Sequence, residues 1–241
     1  MRQIRSADDI IRNMPEWEND HPIIRTGFPL LDGHPAVVLR EGCLSLVGGR
    51  PFMGKTMFAV NIAANAAQEG RKVYFVSLLE SAEQIALKFA ETGISQQGME
   101  NILIDDTEYT PFAARELVSA IRRISADTSL IIINDVQHLG PENVQWLQGA
   151  FPNAAVLLLS QADRAVDERE DHRVGLRDIR GFDQYGAYID CAFSVYRKDF
   201  YSEEEQKTNL FEVICLKSKG QKVSVLLDQE GYVLKKSISA E

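Results

Sequence analysis

The sequence predicts an α/β domain built on a mostly parallel sheet with helices on both faces. Short continuous apolar runs alternate with helical patterns along the chain, and the first run leads through a Gly-rich loop into a helix. Continuous apolar strands are typical of parallel sheets, because helices cover both faces of such sheets. With 241 residues and 45% hydrophobic content, the chain is long enough for one domain with a large core.

The elements follow from the positions of apolar runs, caps and turn residues. Ser6 is a helix N-cap before Ala-Asp-Asp-Ile-Ile-Arg, and Pro15 ends that short helix. Residues 16–22 form an acidic linker, so we expect a linker helix and linker at 1–22 and a single domain at 23–241. Strands are predicted at 44–47, 72–78, 102–104, 130–133, 154–160, 190–196 and 210–216, helices at 56–69, 82–92 and 111–125, and an antiparallel edge hairpin at 222–234.

The Gly-rich loop has the full spacing of a phosphate-binding P-loop. Residues 49–56 read Gly-Arg-Pro-Phe-Met-Gly-Lys-Thr. A strand that leads through a tight loop into a helix directs backbone N–H groups and the positive helix end at one point, where phosphate binds. Lys55 then reaches the β- and γ-phosphates, and the Thr56 hydroxyl holds Mg²⁺. The alternative is a Gly-rich turn without a ligand. We predict a nucleoside triphosphate site formed by Gly49, Arg50, Pro51, Met53, Gly54, Lys55, Thr56 and Met57.

Composition and charge argue against several other classes of protein. No apolar stretch approaches the ~20 residues that span a bilayer, and the N-terminus lacks a signal-peptide pattern, so we expect a cytoplasmic protein without membrane contact. The three cysteines lie far apart in apolar runs, which favours buried side chains over disulfides, and the four histidines form no metal-ligand spacing. The net charge of −9 argues against a uniformly basic surface that coats nucleic acid.

One loop-like segment nevertheless concentrates arginines. Acidic residues are interleaved with them, so two interpretations stay open: a local basic strip for nucleic acid, or a solvated loop with internal ion pairs. The arginines are Arg164, Arg169, Arg173, Arg177 and Arg180.

Polar side chains follow several of the predicted strands at their carboxyl ends. In open α/β sheets, ligands bind outside this edge. The strand-end residues are therefore site candidates, and they include Ser77, Glu80, Asn134, Asp135, Ser160, Gln161 and Arg197.

From about residue 26 to residue 234, the chain resembles the C-terminal, RecA-like ATPase domain of the DnaB replicative helicase family, one of the superfamily-four helicases. The P-loop at 49–56 is the most specific match, and the joint order of the other motifs supports it. Those motifs are Thr26-Gly-Phe-Pro-Leu-Leu-Asp32, Ser81-Ala-Glu-Gln84, Ile104-Asp-Asp-Thr107, Leu159-Ser-Gln161 followed by Arg164, Leu176-Arg-Asp-Ile-Arg180, Asp190 and Tyr196-Arg197. The resemblance implies a RecA-like three-layer core at 23–241 that binds ATP and Mg²⁺.

The resemblance also implies roles for residues outside the P-loop. Gln161 looks like the sensor of the γ-phosphate, with a capping amide as the alternative, and Tyr196 and Arg197 look like neighbours of the base and sugar. Arg197 in an ion pair is the competing interpretation. Lys217 and Lys219 match the pair that reaches the next subunit's nucleotide, and outside a ring they are two solvated lysines. The DNA-contacting positions are Arg164, Arg177 and Arg180.

The chain departs from the family pattern at three catalytic positions. Leu79 stands where the family has its catalytic Glu, and Glu80 follows one place later. Asn134 stands at the position of the Mg²⁺-coordinating Asp, and Asp135 follows it. Lys219 stands where a finger Arg is expected, and Lys lacks the planar, bidentate geometry of Arg. The stretch at 140–155, where the family carries a DNA-binding loop, is also short.

These departures leave two principal hypotheses. In the first, the chain is a DnaB-like ATPase that forms a hexameric ring and moves on single-stranded DNA. In the second, it is an accessory protein that binds ATP together with either DNA or a partner protein, such as a replicative helicase or its loader. It then hydrolyses ATP slowly or not at all. A RecA-like recombination or regulatory ATPase is a third, weaker interpretation. A leucine can neither orient nor deprotonate water, which favours slow hydrolysis, whereas a shift of one residue at both loops would restore both acids.

Overall fold

The structure, a computed structural model, describes residues 6–14, 22–35, 37, 39–107, 114–124, 127–201, 208–217 and 223–240. It contains one sheet of nine strands in the order β3-β2-β4-β5-β1-β6-β7-β8-β9. The strands are β1 (Leu44–Gly49), β2 (Val73–Ser77), β3 (Ile102–Asp105), β4 (Leu130–Asn134), β5 (Ala155–Gln161), β6 (Cys191–Tyr196), β7 (Leu210–Cys215), β8 (Val223–Glu230) and β9 (Val233–Ala240).

The first six strands of the sheet run parallel, and the last three continue it in antiparallel fashion. This confirms the predicted mostly parallel sheet with an antiparallel C-terminal edge. The final hairpin extends to Ala240, beyond the predicted end at residue 234. The carboxyl ends of β1, β4 and β5 lie side by side, because β5 pairs with both of the other strands. That edge holds the P-loop.

Helices connect the strands and cover the sheet. They are α1 (Ala7–Arg12), α2 (Pro29–Asp32), α3 (Lys55–Gln68), α4 (Ala82–Glu91), α5 (Gln96–Met99), α6 (Ala114–Ile124), α7 (Val136–Leu139) and α8 (Phe182–Tyr185). A 3-10 helix, Pro141–Trp146, occupies the short stretch between β4 and β5. None of the helices that the structure describes has the length and apolarity required to cross a bilayer.

Two buried clusters give the domain its three layers. Side chains alternate between the faces of a strand, so Val73 and Phe75 of β2 enter one cluster and Tyr74 and Val76 enter the other. The first cluster packs beneath α3 and α4 and is centred on Phe58, which contacts the rings of Phe28, Phe193 and Phe211. The second packs against α6 and the segment that follows β4. The sheet therefore has helices on both faces, as the continuous apolar strands predict.

The N-terminal helix is capped as expected but buries nothing. The Ser6 hydroxyl accepts from the backbone N–H of Asp9 at 3.0 Å. None of its residues is buried, and Ile11 is 69% exposed. Residues 15–21, which carry Pro15 and most of the predicted linker, lie outside the described residues. The division at residue 22 stays a prediction.

Candidate nucleotide-binding site

The P-loop connects the end of β1 to the start of α3. Gly54 takes a left-handed conformation with φ of 91°, and a Cβ there would lie 2.6 Å from Cε2 of Phe211. A Cβ on Gly49 would lie 3.0 Å from Cγ2 of Val195. Gly54 is required by its backbone angle and its close neighbour, whereas a side chain at Gly49 would be tight against Val195. The loop therefore sits tightly against β6 and β7, ahead of the positive end of a 14-residue helix.

Lys55 is held inside the loop by backbone oxygens. Its Nζ donates to the carbonyl of Gly49 at 3.0 Å and to that of Arg50 at 3.2 Å. Burial lowers the pKa of Lys55 to about 8; the charge of Asp135 opposes this effect and that of Arg50 adds to it. The ammonium is thus partly desolvated at the start of α3, where the sequence predicts that phosphates bind.

The remaining P-loop residues divide into core and surface. Met53 and Met57 are 1% and 5% exposed and pack in the core, so they can offer a ligand only their backbone. Thr56 is half-buried at the first turn of α3, and its contact to Mg²⁺ stays a prediction. Phe52 points outward with 83% of its surface exposed. Pro51 is half-buried beside it.

Asp135 is brought into the site at the end of β4. It is 1% exposed, and its Oδ2 accepts from Nε2 of Gln161 at 3.0 Å. Its Oδ1 lies 3.0 Å from Nδ1 of His138 and also caps α7. Together with the charge it exerts on Lys55, these contacts place the acid of this loop, the sensor candidate and the P-loop lysine in one cluster.

Asn134 precedes this acid and is also buried. Its peptide bond to Asp135 is cis, its carbonyl accepts from the backbone N–H of Leu78 at 2.6 Å, and its Nδ2 has no partner within the described part of the chain. Those residues contain no group of three or more His, Cys, Asp or Glu that could hold a metal. The hydroxyl of Thr56 and the side-chain oxygens of Asn134 and Asp135 nevertheless have the chemistry that suits Mg²⁺, which prefers oxygen ligands and is bound through one or two carboxylates together with waters and substrate phosphates.

Glu80 is not part of this cluster. It forms an ion pair with Lys88 on α4, and its backbone is fixed by two hydrogen bonds with the hydroxyl of Ser77, at 2.7 and 3.2 Å. Tyr232 lies in the turn before β9, and its pKa is raised mainly by burial. The negative charges of Glu80 and Glu91 raise this pKa further. Leu79 stands at the strand end with 49% of its surface exposed. The two acids that follow the expected positions thus differ, since Asp135 acts electrostatically on the P-loop lysine and Glu80 is paired with Lys88.

Tyr196 and Arg197 are engaged within the chain. Tyr196 is 8% exposed, with the guanidinium of Arg173 4.8 Å from its ring centre and Tyr201 stacked at 6.1 Å. Nη2 of Arg197 donates to Oδ2 of Asp199 at 3.1 Å. The structure therefore has the ion pair that was the alternative for Arg197, and it leaves little of Tyr196 for a nucleobase.

Lys217 also turns inward. Its Nζ donates to the backbone carbonyls of Ile189 and, at 3.3 Å, of Gly186. Lys219 lies outside the described residues. The proposed contact of Lys217 with a neighbouring subunit would require it to release these carbonyls.

The Arg-rich segment (residues 164–180) contains both internal ion pairs and exposed arginines, the features that its two interpretations predict. Arg169, Arg173 and Arg180 form ion pairs with Asp178, Glu212 and Asp163, at 2.8, 2.9 and 3.0 Å. Arg164 and Arg177 are exposed, and within the ranges the structure describes they have no ion-pair partner. Two of the three predicted DNA-contacting arginines are therefore available on the surface.

The side chain of Arg50 has a partner that the sequence does not reveal. Its guanidinium turns away from the loop centre toward Asp167, to which Nη2 donates at 2.6 Å. It also donates from Nη1 to the carbonyl of Ala162 at 2.9 Å. The interleaving of acids and arginines at 163–180 was the available signal, but it does not specify a partner 117 residues away in sequence.

Comparison with known proteins identifies the family. The model of the DnaB-like helicase C-terminal domain matches residues 24–146, about half of the chain. The chain belongs to this family.

Several related proteins are named as replicative DNA helicases. The replicative DNA helicase DnaC of Bacillus subtilis is 28% identical over 90% of this chain and 57% of its own length. The replicative DNA helicase DnaB of Geobacillus stearothermophilus is 27% identical over 84% and 53%, and a probable plasmid replicative DNA helicase of Chlamydia psittaci is 27% identical over 87% and 55%. The chain spans about half the length of the curated relatives it matches.

Solved structures show the same RecA-like fold. A DnaB-like replicative helicase, described with its interactions with primase, superposes with a TM-score of 0.78 at 21% identity, over 97% of this chain and 68% of that one. A second solved structure, described as an ATPase domain, superposes with a TM-score of 0.75 at 20% identity, over 97% of this chain and 99% of that one. The DnaB-like domain therefore has the RecA-like architecture that the motifs predict.

Proposed function

We propose that this chain is an ATP-binding domain of a DnaB-like helicase that forms a homo-oligomeric ring on single-stranded DNA and acts in DNA replication in the cytoplasm. The observation that carries the proposal is the P-loop, where Lys55 lies between two backbone carbonyls at the start of α3. The names of the relatives support the assignment to replication. A replicative helicase or its loader is the expected protein partner.

Nucleotide binding would change the partners of Lys55. A triphosphate offers stronger acceptors than the carbonyls of Gly49 and Arg50, so Nζ leaves them for the β- and γ-phosphates. Thr56, Asn134 and Asp135 would hold Mg²⁺, which neutralises phosphate charge when bound. The hydrogen bond from Gln161 to Asp135 supports a role for Gln161 in responding to the nucleotide.

We further propose that hydrolysis is slow because the strand end lacks an available acid. Leu79 cannot accept a proton, and Glu80 is held by Lys88. General-base catalysis contributes typically 10²–10⁴-fold, so its loss leaves a residual rate. Of the two principal hypotheses, slow hydrolysis favours the ATP-dependent binding module, so the proposed ring would bind single-stranded DNA under the control of ATP rather than move along it fast.

A gain-of-function variant tests the catalytic part. Leu79→Glu places a carboxylate at an exposed position, so the change leaves the core untouched. We expect the steady-state ATPase rate to rise by at least about tenfold, whereas Leu79→Gln, which matches the size but cannot take a proton, leaves the rate unchanged. If the wild-type chain hydrolyses ATP fast and Glu80→Gln abolishes that hydrolysis, then Glu80 is the base and the proposal of slow hydrolysis is refuted.

Binding and assembly are tested on the wild-type chain. We expect Mg-ATPγS to bind in calorimetry and Lys55→Ala to lose that binding. Fluorescence anisotropy with a labelled single-stranded oligonucleotide should show binding that weakens steeply with salt, because the contacts are to phosphates. Light scattering should show a ring-sized species with nucleotide. A monomer that binds neither nucleotide nor oligonucleotide contradicts the proposal.

A further inference from the structure

A single carboxylate joins the P-loop to the Arg-rich segment. Nε of Arg50 lies 3.0 Å from each carboxylate oxygen of Asp167, and Nη2 lies 2.6 Å from Oδ2. Oδ1 of Asp167 also accepts from the hydroxyl of Tyr201 at 2.8 Å. The hydrogen bonds from Arg50 and Tyr201 help to hold the pKa of Asp167 below its usual value, so the carboxylate stays charged.

This contact differs from an ordinary surface ion pair. The side chain of Arg50 is 11% exposed, that of Asp167 is 37% exposed, and the guanidinium is engaged on two sides. Exposed pairs contribute little because water competes and two flexible side chains must be ordered. A bidentate pair whose guanidinium is mostly covered has fixed geometry, and its carboxylate takes its position from Arg50.

The backbone reinforces the same connection. The carbonyl of Gly49 accepts from Ala162 N–H at 3.0 Å and also from Lys55. The N–H of Asp163 donates to Asp178 at 2.8 Å, and that of Arg180 donates to Gln161 at 3.0 Å. The two ends of the Arg-rich segment are thus tied together next to the P-loop.

We propose that Asp167 is a positioning residue that couples occupancy of the nucleotide site to the DNA affinity of the Arg-rich segment. Lys55 has two sets of acceptors, the carbonyls of Gly49 and Arg50 or the phosphates of a nucleotide. When it moves, the backbone at Arg50 loses a hydrogen bond, and the rigid side chain of Arg50 transmits the change to Asp167. Asp167 lies in the same short 3-10 helix as Arg164, one of the two exposed arginines.

The inference rests on the proposed binding of ATP and single-stranded DNA. It predicts a coupling factor, defined as the oligonucleotide Kd without nucleotide divided by the Kd with Mg-ATPγS. Couplings between sites are typically 5–150-fold, so we expect a wild-type factor of about tenfold or more. In Asp167→Asn we expect that factor to fall below about twofold while the nucleotide Kd changes less than about threefold.

The matched control is Asp171→Asn. Asp171 lies in the same segment, pairs with Arg173 at 3.3 Å and is exposed, so its substitution makes the same change in net charge. It should keep the wild-type coupling factor, and Asp167→Glu should recover part of it. Tyr201→Phe removes only the third donor, and we expect a partial loss; this variant carries the test if Asp167→Asn does not fold.

The outcomes separate the two proposals. A wild-type chain that binds no oligonucleotide overturns the proposed function and this inference together. If the wild-type chain shows coupling and both Asp167→Asn and Tyr201→Phe retain it, the inference about Asp167 is overturned and the proposed function stands. Equal loss in Asp167→Asn and Asp171→Asn also overturns it, because the effect would then come from net charge.

Discussion

Raising the pH should weaken nucleotide binding through Lys55. Burial lowers the pKa of Lys55 in the free chain to about 8, and a bound triphosphate favours the charged ammonium, which raises that pKa again. Above pH 8 the free chain must therefore take up a proton when it binds. The wild-type affinity is then insensitive to this group below pH 8 and falls as the pH rises above it.

The expected size follows from the position of the pKa. Each pH unit above it reduces the protonated fraction about tenfold, which costs about 1.4 kcal/mol of binding free energy. Affinity near pH 9 should therefore be about tenfold lower than below pH 8, until the pH reaches the pKa of the complex. An exposed lysine, with its pKa near 10.4, would show no loss in this range.

Calorimetry with Mg-ATPγS measures both the affinity and the proton. Titrations in two buffers of different ionisation enthalpy give the number of protons taken up, which should rise from near zero toward one across this range. Lys55→Arg is the control, because a guanidinium stays charged and its pH profile should be flat even though affinity is lower. A wild-type affinity that stays constant, with no proton uptake, refutes the reasoning.

Three further predictions concern stability and the metal. Phe58→Ala should cost about 3–5 kcal/mol in urea unfolding, because the ring is fully buried among three other aromatic rings; a loss under 1 kcal/mol would contradict this packing. Gly54→Ala should destabilise the chain by about 1–3 kcal/mol and weaken nucleotide binding, because φ is 91° and the new methyl meets Phe211. Gly70 also has a positive φ, but a methyl there would meet no other atom, so Gly70→Ala should lose stability and keep nucleotide binding. Asp135→Asn should raise the Mg²⁺ concentration needed for ATP binding and leave Mg²⁺-free binding no weaker; an unchanged Mg²⁺ requirement would exclude Asp135 as a ligand.

The strands and the P-loop could be predicted because their signals are local. A continuous apolar run such as 130–133 is favourable only where both faces are covered, and this dictates a buried strand. The P-loop depends on glycines at two positions and on a helix start, all within eight residues. The helices α2, α5, α7 and α8 were missed because each has only four residues, too few to show a helical period.

The candidate site was only partly visible from the sequence. Its strand-end residues were found, because parallel strands bring their carboxyl ends to one edge. Sequence could not decide which displaced acid reaches Lys55, since Glu80 and Asp135 each follow their expected position by one place. Their neighbours decided it, with Lys88 holding Glu80 and Gln161 contacting Asp135.

The amino-acid sequence alone determined the phosphate loop, the order of the strands and of the longer helices, and the family. The loop and these elements depend on residues close together in the chain, where backbone geometry and burial leave few choices, and the family follows from the order of such local motifs. Only the tertiary structure decided the partners of Arg50, Glu80, Asp135 and Lys217, because each is bound by groups from other parts of the fold. A charged side chain can pair with any opposite charge within reach, and only the folded backbone sets which one that is.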